Sequence, residues 1–139
     1  MTVLVTDAGF RPEDWTHGFS PLADLPANDA APAVAVDLAS DADPATLDGR
    51  LDSIDLIRID FPSFADGRGF TIAQRLRLAG FQGRLRAGGH VIADQYAMAR
   101  RSGFDEVEIS DDLAQRQPQD QWLARADWED HDYRSRLSA

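Results

Sequence analysis

Four short apolar runs with charged residues at alternate positions constrain the fold of this chain more than any other feature. They read AVAVDL, LIRIDF, GRLRA and EVEIS. Successive side chains of a β-strand point to opposite faces of a sheet, so this spacing gathers the charges on one face and the apolar residues on the other. We therefore predict a sheet that helices cover on one face only. The charged second face is solvated, pairs with a second copy, or lines a site.

The segments between these runs are predicted to be helices. Residues 43–54 form one, with Asp43 as the N-cap and Pro44 at the first helical position. A second helix begins at the capping hydroxyl of Thr71 and ends at Gly80, and a third ends at Gly103. This alternation predicts an α/β fold of about four βα units with a mostly parallel sheet, half-barrel-like or two-layered, and right-handed crossovers.

The length of 139 residues fits a single domain. We divide it into an N-terminal appendage (1–31) in which TVLV forms a short strand, a βα core (33–110) and a C-terminal tail (111–139). Trp122 and Trp128 stand in an otherwise polar tail. Because large aromatic side chains tend to be buried, docking of the tail onto its own domain is favoured over docking onto another chain.

Composition excludes several kinds of chemistry. The chain has no cysteine and no lysine, which excludes thiolate-ligated clusters, cysteine zinc sites, disulfides and a lysine Schiff base. His17, His90 and His131 are isolated in sequence, so no metal site is predicted. No GxSxG, P-loop or GxGxxG pattern occurs, which leaves hydrolase, nucleoside triphosphatase and dinucleotide-binding functions without support.

Charge is distributed unevenly along the chain. The net charge is −10, which argues against a general nucleic-acid partner. Residues 68–101 nevertheless contain seven arginines and one acidic residue, Asp94. Either this basic segment pairs internally with the acidic flanks, or it engages an anion or an acidic partner. No apolar run approaches the roughly 20 residues that cross a bilayer, and the N-terminus lacks signal-peptide features. We expect a cytoplasmic protein with no membrane partner.

The connection FPSFADGRGF, between the second strand and the following helix, is the first candidate site. Ligands of βα folds collect at the carboxyl ends of strands. Gly67 and Gly69 permit positive φ, so that amide hydrogens can converge on an anion, and Arg68 supplies a forked donor. Asp60 and Asp66 could hold that arginine or bind a cation. The alternative is a tight turn in which Asp66 makes only a local hydrogen bond.

A second connection, RAGGHVIADQ, repeats this composition in the next βα unit. We expect Arg86 to point toward the same edge, beside Gly88 and Gly89. Asp94 and Gln95 are helix caps, packing partners or ligand contacts, with packing favoured. The candidate catalytic residues are Asp60, Arg68 and Arg86. The candidate ligand-binding residues are Asp66, Gly67, Arg68, Gly69, Thr71, Arg86, Gly88, Gly89, Asp94 and Gln95.

Three stretches of the sequence agree with the pattern of a known family in both order and spacing. They are Phe61 to Arg77, Phe81 to Gln95 and Gly103 to Ile109. They resemble the DUF934 family, bacterial proteins of unknown function whose pattern is FPxFxDGRGxSxAxxLR, then GFxGxLRAxGxVxxDQ, then GFDxxEL. Thr71 replaces the serine usual in that family and keeps a hydroxyl. His90 stands where the family often has an acidic residue, which puts any carboxylate role there in doubt.

The resemblance implies a metabolic pathway for the protein but no reaction mechanism. The family is often labelled an oxidoreductase involved in sulfite reduction, encoded near sulfite reductase and adenylyl-sulfate reductase. We expect an accessory protein of assimilatory sulfate reduction that engages a small oxyanion or a subunit of one of those reductases. The alternatives are a redox enzyme with a bound flavin or other cofactor, with its active site at the three catalytic candidates, and a structural homodimer without catalysis.

Overall fold

The computed structural model describes residues 2–21 and 34–128. Within them, seven strands form one sheet: β1 Thr2–Thr6, β2 Gly9–Pro12, β3 Ser20–Pro21, β4 Ala35–Leu38, β5 Leu56–Phe61, β6 Arg84–Gly89 and β7 Glu106–Ser110. The α-helices in these ranges are α1 Arg68–Leu78, α2 Tyr96–Ser102, α3 Asp111–Arg116 and α4 Gln119–Leu123. Short 3₁₀ turns cover Pro44–Leu47, Leu51–Ser53 and Ala93–Gln95.

The strand order across the sheet is β2-β1-β7-β6-β5-β4-β3. Strands β3 to β7 are parallel, whereas β1 pairs antiparallel with both β7 and β2. Consecutive parallel strands are neighbours in the sheet, so every connection between them runs toward the same edge. When such connections are all right-handed, their helices lie on the same face of the sheet. The predicted α/β fold with a mostly parallel sheet is confirmed.

The core lies between that face and the helices. It combines alternate residues of β5, β6 and β7, such as Ile57, Leu85 and Val107, with Leu76 of α1 and Ala99 of α2. The strand residues among them are those that the period-two pattern assigned to the apolar face. Gly103 caps the end of α2 and Gly80 forms the turn after α1, both with positive φ, as predicted.

Two predictions about helices are wrong. The predicted helix over 43–54 is two short 3₁₀ turns, because Gly49 adopts φ +81° between them and interrupts any helical path. Asp43 does cap the first turn, accepting from the amide of Ala45 at 3.0 Å. Thr71 is not a cap, since α1 already begins at Arg68, with Gly67 in the N-cap position, and Thr71 lies inside it.

The description of residues 1–31 as an appendage is wrong for residues 2–21. TVLV is the predicted strand, but as β1 it lies inside the sheet and covers the edge of β7. Strands β2 and β3 form the opposite edges, so the chain between them must cross the sheet. It does so through residues 13–19, which we call the strap.

The predicted docking of the tail onto its own domain is confirmed for the described part. Trp122 is 1% exposed and packs edge-on against Tyr96, at 6.1 Å between ring centroids. Trp128 lies against the guanidinium of Arg100 at 4.7 Å and donates its Nε1 hydrogen to Asp7. His131 lies outside the described residues. Within the described ranges, no helix is long and apolar enough to cross a membrane.

Candidate functional site

The charged side chains of the strands lie together on the face that the helices leave open, as predicted. We call this set the charged face, and its members are Asp37, Arg58, Arg84, Arg86, Glu106 and Glu108. The strap crosses it and adds Glu13 and Asp14. The face therefore contains more carboxylates than guanidinium groups.

Arg86 is the centre of the charged face. Its side chain is fully buried and contacts three carboxylates, Glu106 at 2.6 Å, Glu108 at 2.7 Å and Glu13 at 2.5 Å. Burial opposes the charge, but the bonds to these carboxylates outweigh it and raise the pKa of Arg86 above its ordinary value. The predicted position of Arg86 at the carboxyl edge of the sheet is wrong, because this network holds the guanidinium against the middle of the sheet.

The flanking arginines extend the network across the strands. Arg58 makes a two-pronged pair with Asp37, at 2.6 and 2.8 Å, and a second pair with Glu108 at 3.1 Å. Phe19 of the strap stacks on the Arg58 guanidinium at 3.7 Å. Arg84 bridges Glu106 of β7 and Asp14 of the strap, at 2.7 and 2.9 Å. Each guanidinium on the face thus joins two or more segments of the chain.

The strap carboxylate Glu13 is held in its charged form. Burial alone would raise the pKa of Glu13, but hydrogen bonds from Arg86 and from the Trp15 amide, with the charge of Arg86, hold it below the ordinary value. A carboxyl with a depressed pKa adds stability at neutral pH that is lost as pH falls through that pKa.

Internal pairing, the simpler explanation of the basic segment, is confirmed. Besides the charged face, the ion pairs are Arg68–Asp66, Arg75–Asp43, Arg77–Asp105 and Arg100–Asp7. Arg101 donates instead to the carbonyl of Trp128. The acidic flanks therefore neutralise most of the arginines between residues 68 and 101.

At the carboxyl end of β5, the DGRG connection holds an exposed arginine in a fixed place. Arg68 is 60% exposed, yet its Nη2 lies 2.7 Å from Asp66 and 2.9 Å from the hydroxyl of Ser40. Asp66 also accepts from the Arg68 amide at 3.1 Å. These hydrogen bonds lower the pKa of Asp66 to about 2. Asp66 therefore makes the local turn bond and also orients Arg68, whereas Asp60 makes no bond to that arginine.

Three of the four glycines in the two connections, Gly69, Gly88 and Gly89, serve close packing rather than an amide cradle. Gly67 and Gly69 do not adopt positive φ, so the predicted anion-binding concavity in DGRG is wrong. A Cβ at Gly69 would lie 2.5 Å from the Phe61 ring. Gly89 does have φ +103°, and a Cβ there would lie 2.7 Å from the Phe61 carbonyl oxygen. Gly88 leaves room for the Arg58 side chain, 3.2 Å from a Cβ position.

Gln95 fastens the two connections together. Its Nε2 donates to the carbonyl of Phe64 at 2.7 Å, and its Oε1 accepts from the Ile92 amide at 3.1 Å. Asp94 instead faces solvent and pairs with Arg125 at 2.8 Å. We call the joined connections, residues 61–69 and 88–95, the rim.

Two recesses open beside the rim and share Gly89 and Glu108 as walls. One, of about 540 Å³, lies over the charged face between Asp37, Asp60 and Gly88. The other, of about 620 Å³, lies between the rim and α3, and we call it the cleft. In the described ranges, no group of three or more histidine or acidic residues is arranged to hold a metal ion.

Residues 35–136 match the family described as "Bacterial protein of unknown function (DUF934)". That is more than half of the chain. The chain belongs to the DUF934 family. No curated protein and no solved structure matches it. The matched region begins at β4 and contains both connections of the rim, whereas β1, β2 and the strap precede it.

In this DUF934 protein, the predicted site residues fall into three groups. Those brought together at the rim are Asp66, Gly67, Arg68, Gly69, Gly88, Gly89 and Gln95. Asp60 lines the recess over the charged face. Arg86 is buried and Thr71 is exposed, and neither lines a recess, while Asp94 belongs to the rim by position but turns its side chain to solvent and to Arg125. Sequence reasoning missed Arg116 in the cleft. Arg116 follows the carboxyl end of β7, just as the two connections of the rim follow the carboxyl ends of β5 and β6.

Proposed function

We propose that this DUF934 protein is an accessory protein of assimilatory sulfate reduction that docks onto a reductase subunit through the rim. One observation carries the proposal. Phe64 and Arg68, four residues apart in the same connection, are 61% and 60% exposed, and hydrogen bonds hold the backbone of Phe64 and the guanidinium of Arg68 in place. The sulfite-reduction setting comes from the family resemblance, and sulfite reductase is therefore the first partner to test, followed by adenylyl-sulfate reductase.

The residue types and their rigidity favour a protein partner. Aromatic and arginine side chains supply most of the binding energy at protein interfaces. Ordering a side chain on binding costs affinity, so groups that are already ordered bind better. Asp66 and Ser40 fix the guanidinium of Arg68, and Gln95 fixes the backbone at Phe64.

The same contacts make a free inorganic oxyanion a weaker candidate at Arg68. Asp66 already occupies the guanidinium with a two-pronged hydrogen bond, at 2.7 and 3.0 Å. An incoming sulfite or sulfate would have to displace a carboxylate that the chain keeps nearby. A partner surface can instead use both charges of the exposed Arg68–Asp66 pair together with the Phe64 ring.

Capture from cells that assimilate sulfate tests this proposal. Tagged protein should retain a reductase subunit, and Arg68→Ala should reduce the retained amount by about tenfold or more, as for the central arginine of an interface. Arg75→Ala is the matched control, because Arg75 is 54% exposed, pairs with an aspartate and lies outside the rim. Equal retention by Arg68→Ala and wild type, or no reductase subunit with wild type, would contradict the proposal.

The contacts between the strap and the charged face disfavour dimerisation through that face. The strap already crosses that face, and Arg86 beneath it is fully buried. A second copy would have to displace Glu13, Asp14 and Phe19 first. The redox-enzyme alternative is checked on the same preparation, since a flavin bound to the purified protein would be visible in its absorbance spectrum and mass.

A further inference from the structure

The cleft contains an arginine and a histidine whose side chains have no bonding partner among the described residues. Arg116 of α3 and His90 of the rim both line it, and within residues 2–21 and 34–128 neither side chain has a hydrogen bond or ion pair. Glu108 also lines the cleft, but its carboxylate is bonded to Arg58 and Arg86. Arg116 therefore brings to the cleft a guanidinium that has no carboxylate partner in the described ranges, whereas most other arginines there are paired.

The walls of the cleft are largely apolar. Phe64, Ile92 and Leu113 face the same space as Arg116. Gln117 also lines it, and its Oε1 is fixed by the Ala93 amide at 2.7 Å, which leaves its Nε2 hydrogens as donors. A mostly apolar pocket with a few polar groups is the usual composition of a small-molecule site.

The size of the cleft excludes a bare inorganic ion as a good fit. Its volume of about 620 Å³ falls in the range of sites for small organic ligands, roughly 300–1,000 Å³. A sulfate or phosphate ion alone would leave the apolar walls in contact with water. An anion attached to an aromatic or aliphatic body would contact Arg116 and those walls at the same time.

We propose that the cleft binds a small organic anion, a sulfonate, a phosphate monoester or a carboxylate with an apolar body, anchored by Arg116 and His90. The apolar body packs against Phe64 and Leu113. This site is distinct from the docking role of Arg68, which lies on the other connection and does not line the cleft. Phe64 belongs to both proposed sites, so a substitution of Phe64 cannot distinguish one from the other.

An NMR titration with model anions tests the assignment. Phenylphosphonate and benzenesulfonate should shift the backbone amides near His90 and Leu113, whereas inorganic phosphate, inorganic sulfate and benzyl alcohol should bind at least about tenfold more weakly. Arg116→Gln should weaken the organic anions by about tenfold or more, because a hydrogen bond to a charged group is lost. Arg125→Gln is the matched control, since Arg125 pairs with Asp94 and does not line the cleft.

Several outcomes would overturn this proposal. They are equal binding by Arg116→Gln and wild type, equal binding of inorganic and organic anions, and no amide shift at about 10 mM phenylphosphonate, where even a weak site would be occupied. Arg116 is exposed, so the variant should keep the wild-type melting temperature, which the same samples can verify. Arg116→Gln should still capture the reductase, and Arg68→Ala should still bind phenylphosphonate, so failure of one proposal is distinguishable from failure of the other.

Discussion

Arg86→Met should lower the free energy of unfolding by about 3–5 kcal/mol, because removing one partner of a buried ion pair leaves its carboxylates without compensation. Arg86 is fully buried and bonded to Glu13, Glu106 and Glu108. Small domains are stable by only about 5–15 kcal/mol, so this loss is a large part of the total. Urea unfolding followed by tryptophan fluorescence measures it. Arg75→Met, which breaks an exposed pair, should change stability by less than about 1 kcal/mol.

The pH dependence of the stability difference between wild type and Arg86→Met distinguishes the lost ion pairs of Arg86 from the lost packing of its side chain. Glu13 has a depressed pKa in the folded protein, so its pairing with Arg86 stabilises the fold above its ordinary value of 4.5 and ceases to do so as pH falls through the depressed pKa. The difference between wild type and Arg86→Met should therefore shrink on acidification. A difference below about 1 kcal/mol at neutral pH would show that the charged face does not stabilise the fold.

Trp122→Ala should cost about 3–5 kcal/mol of unfolding free energy, the usual range for removing a large buried aromatic side chain. Trp122 is 1% exposed, packs edge-on against Tyr96, and donates its Nε1 hydrogen to the Gln117 carbonyl at 2.9 Å. Urea unfolding followed by circular dichroism measures the loss. Its neighbour in α4, Leu123, is 37% exposed, and Leu123→Ala should have a clearly smaller effect. Comparable losses in the two variants would mean that α4 does not dock through Trp122.

The period-two pattern predicted the sheet well for a physical reason. Alternation records which face of each strand is buried, and this is a local property of LIRIDF or EVEIS. The pairing across that face is not local. Arg86 and Glu13 are 73 residues apart in sequence. No feature of either segment predicts that the strap crosses over β6. Sequence reasoning could therefore predict charges on one face and offer internal pairing as one explanation, but it could not predict which carboxylate pairs with which arginine.

The candidate site was predicted in part for a similar reason. The carboxyl-end rule located both connections of the rim, and two of their glycines, Gly69 and Gly89, leave no room for a Cβ there. Their role was misassigned because the space around Gly69 depends on the Phe61 ring, and the ring position depends on the folded core. Arg116 follows β7 in a segment without glycines, so the composition that marked the two connections of the rim is missing there, and only the folded cleft shows that Arg116 lines the same space as His90 and Phe64.

Hydrogen exchange on a mixture of this protein and purified sulfite reductase tests the central claim, that the rim is the docking surface and the charged face is structural. The rim projects Phe64 and Arg68 into solvent, while the strap is already bound to its own sheet. We expect slower exchange at residues 62–68 in the presence of the reductase and unchanged exchange at residues 13–19. Slowed exchange confined to the strap, or unchanged exchange throughout the rim, would contradict the account.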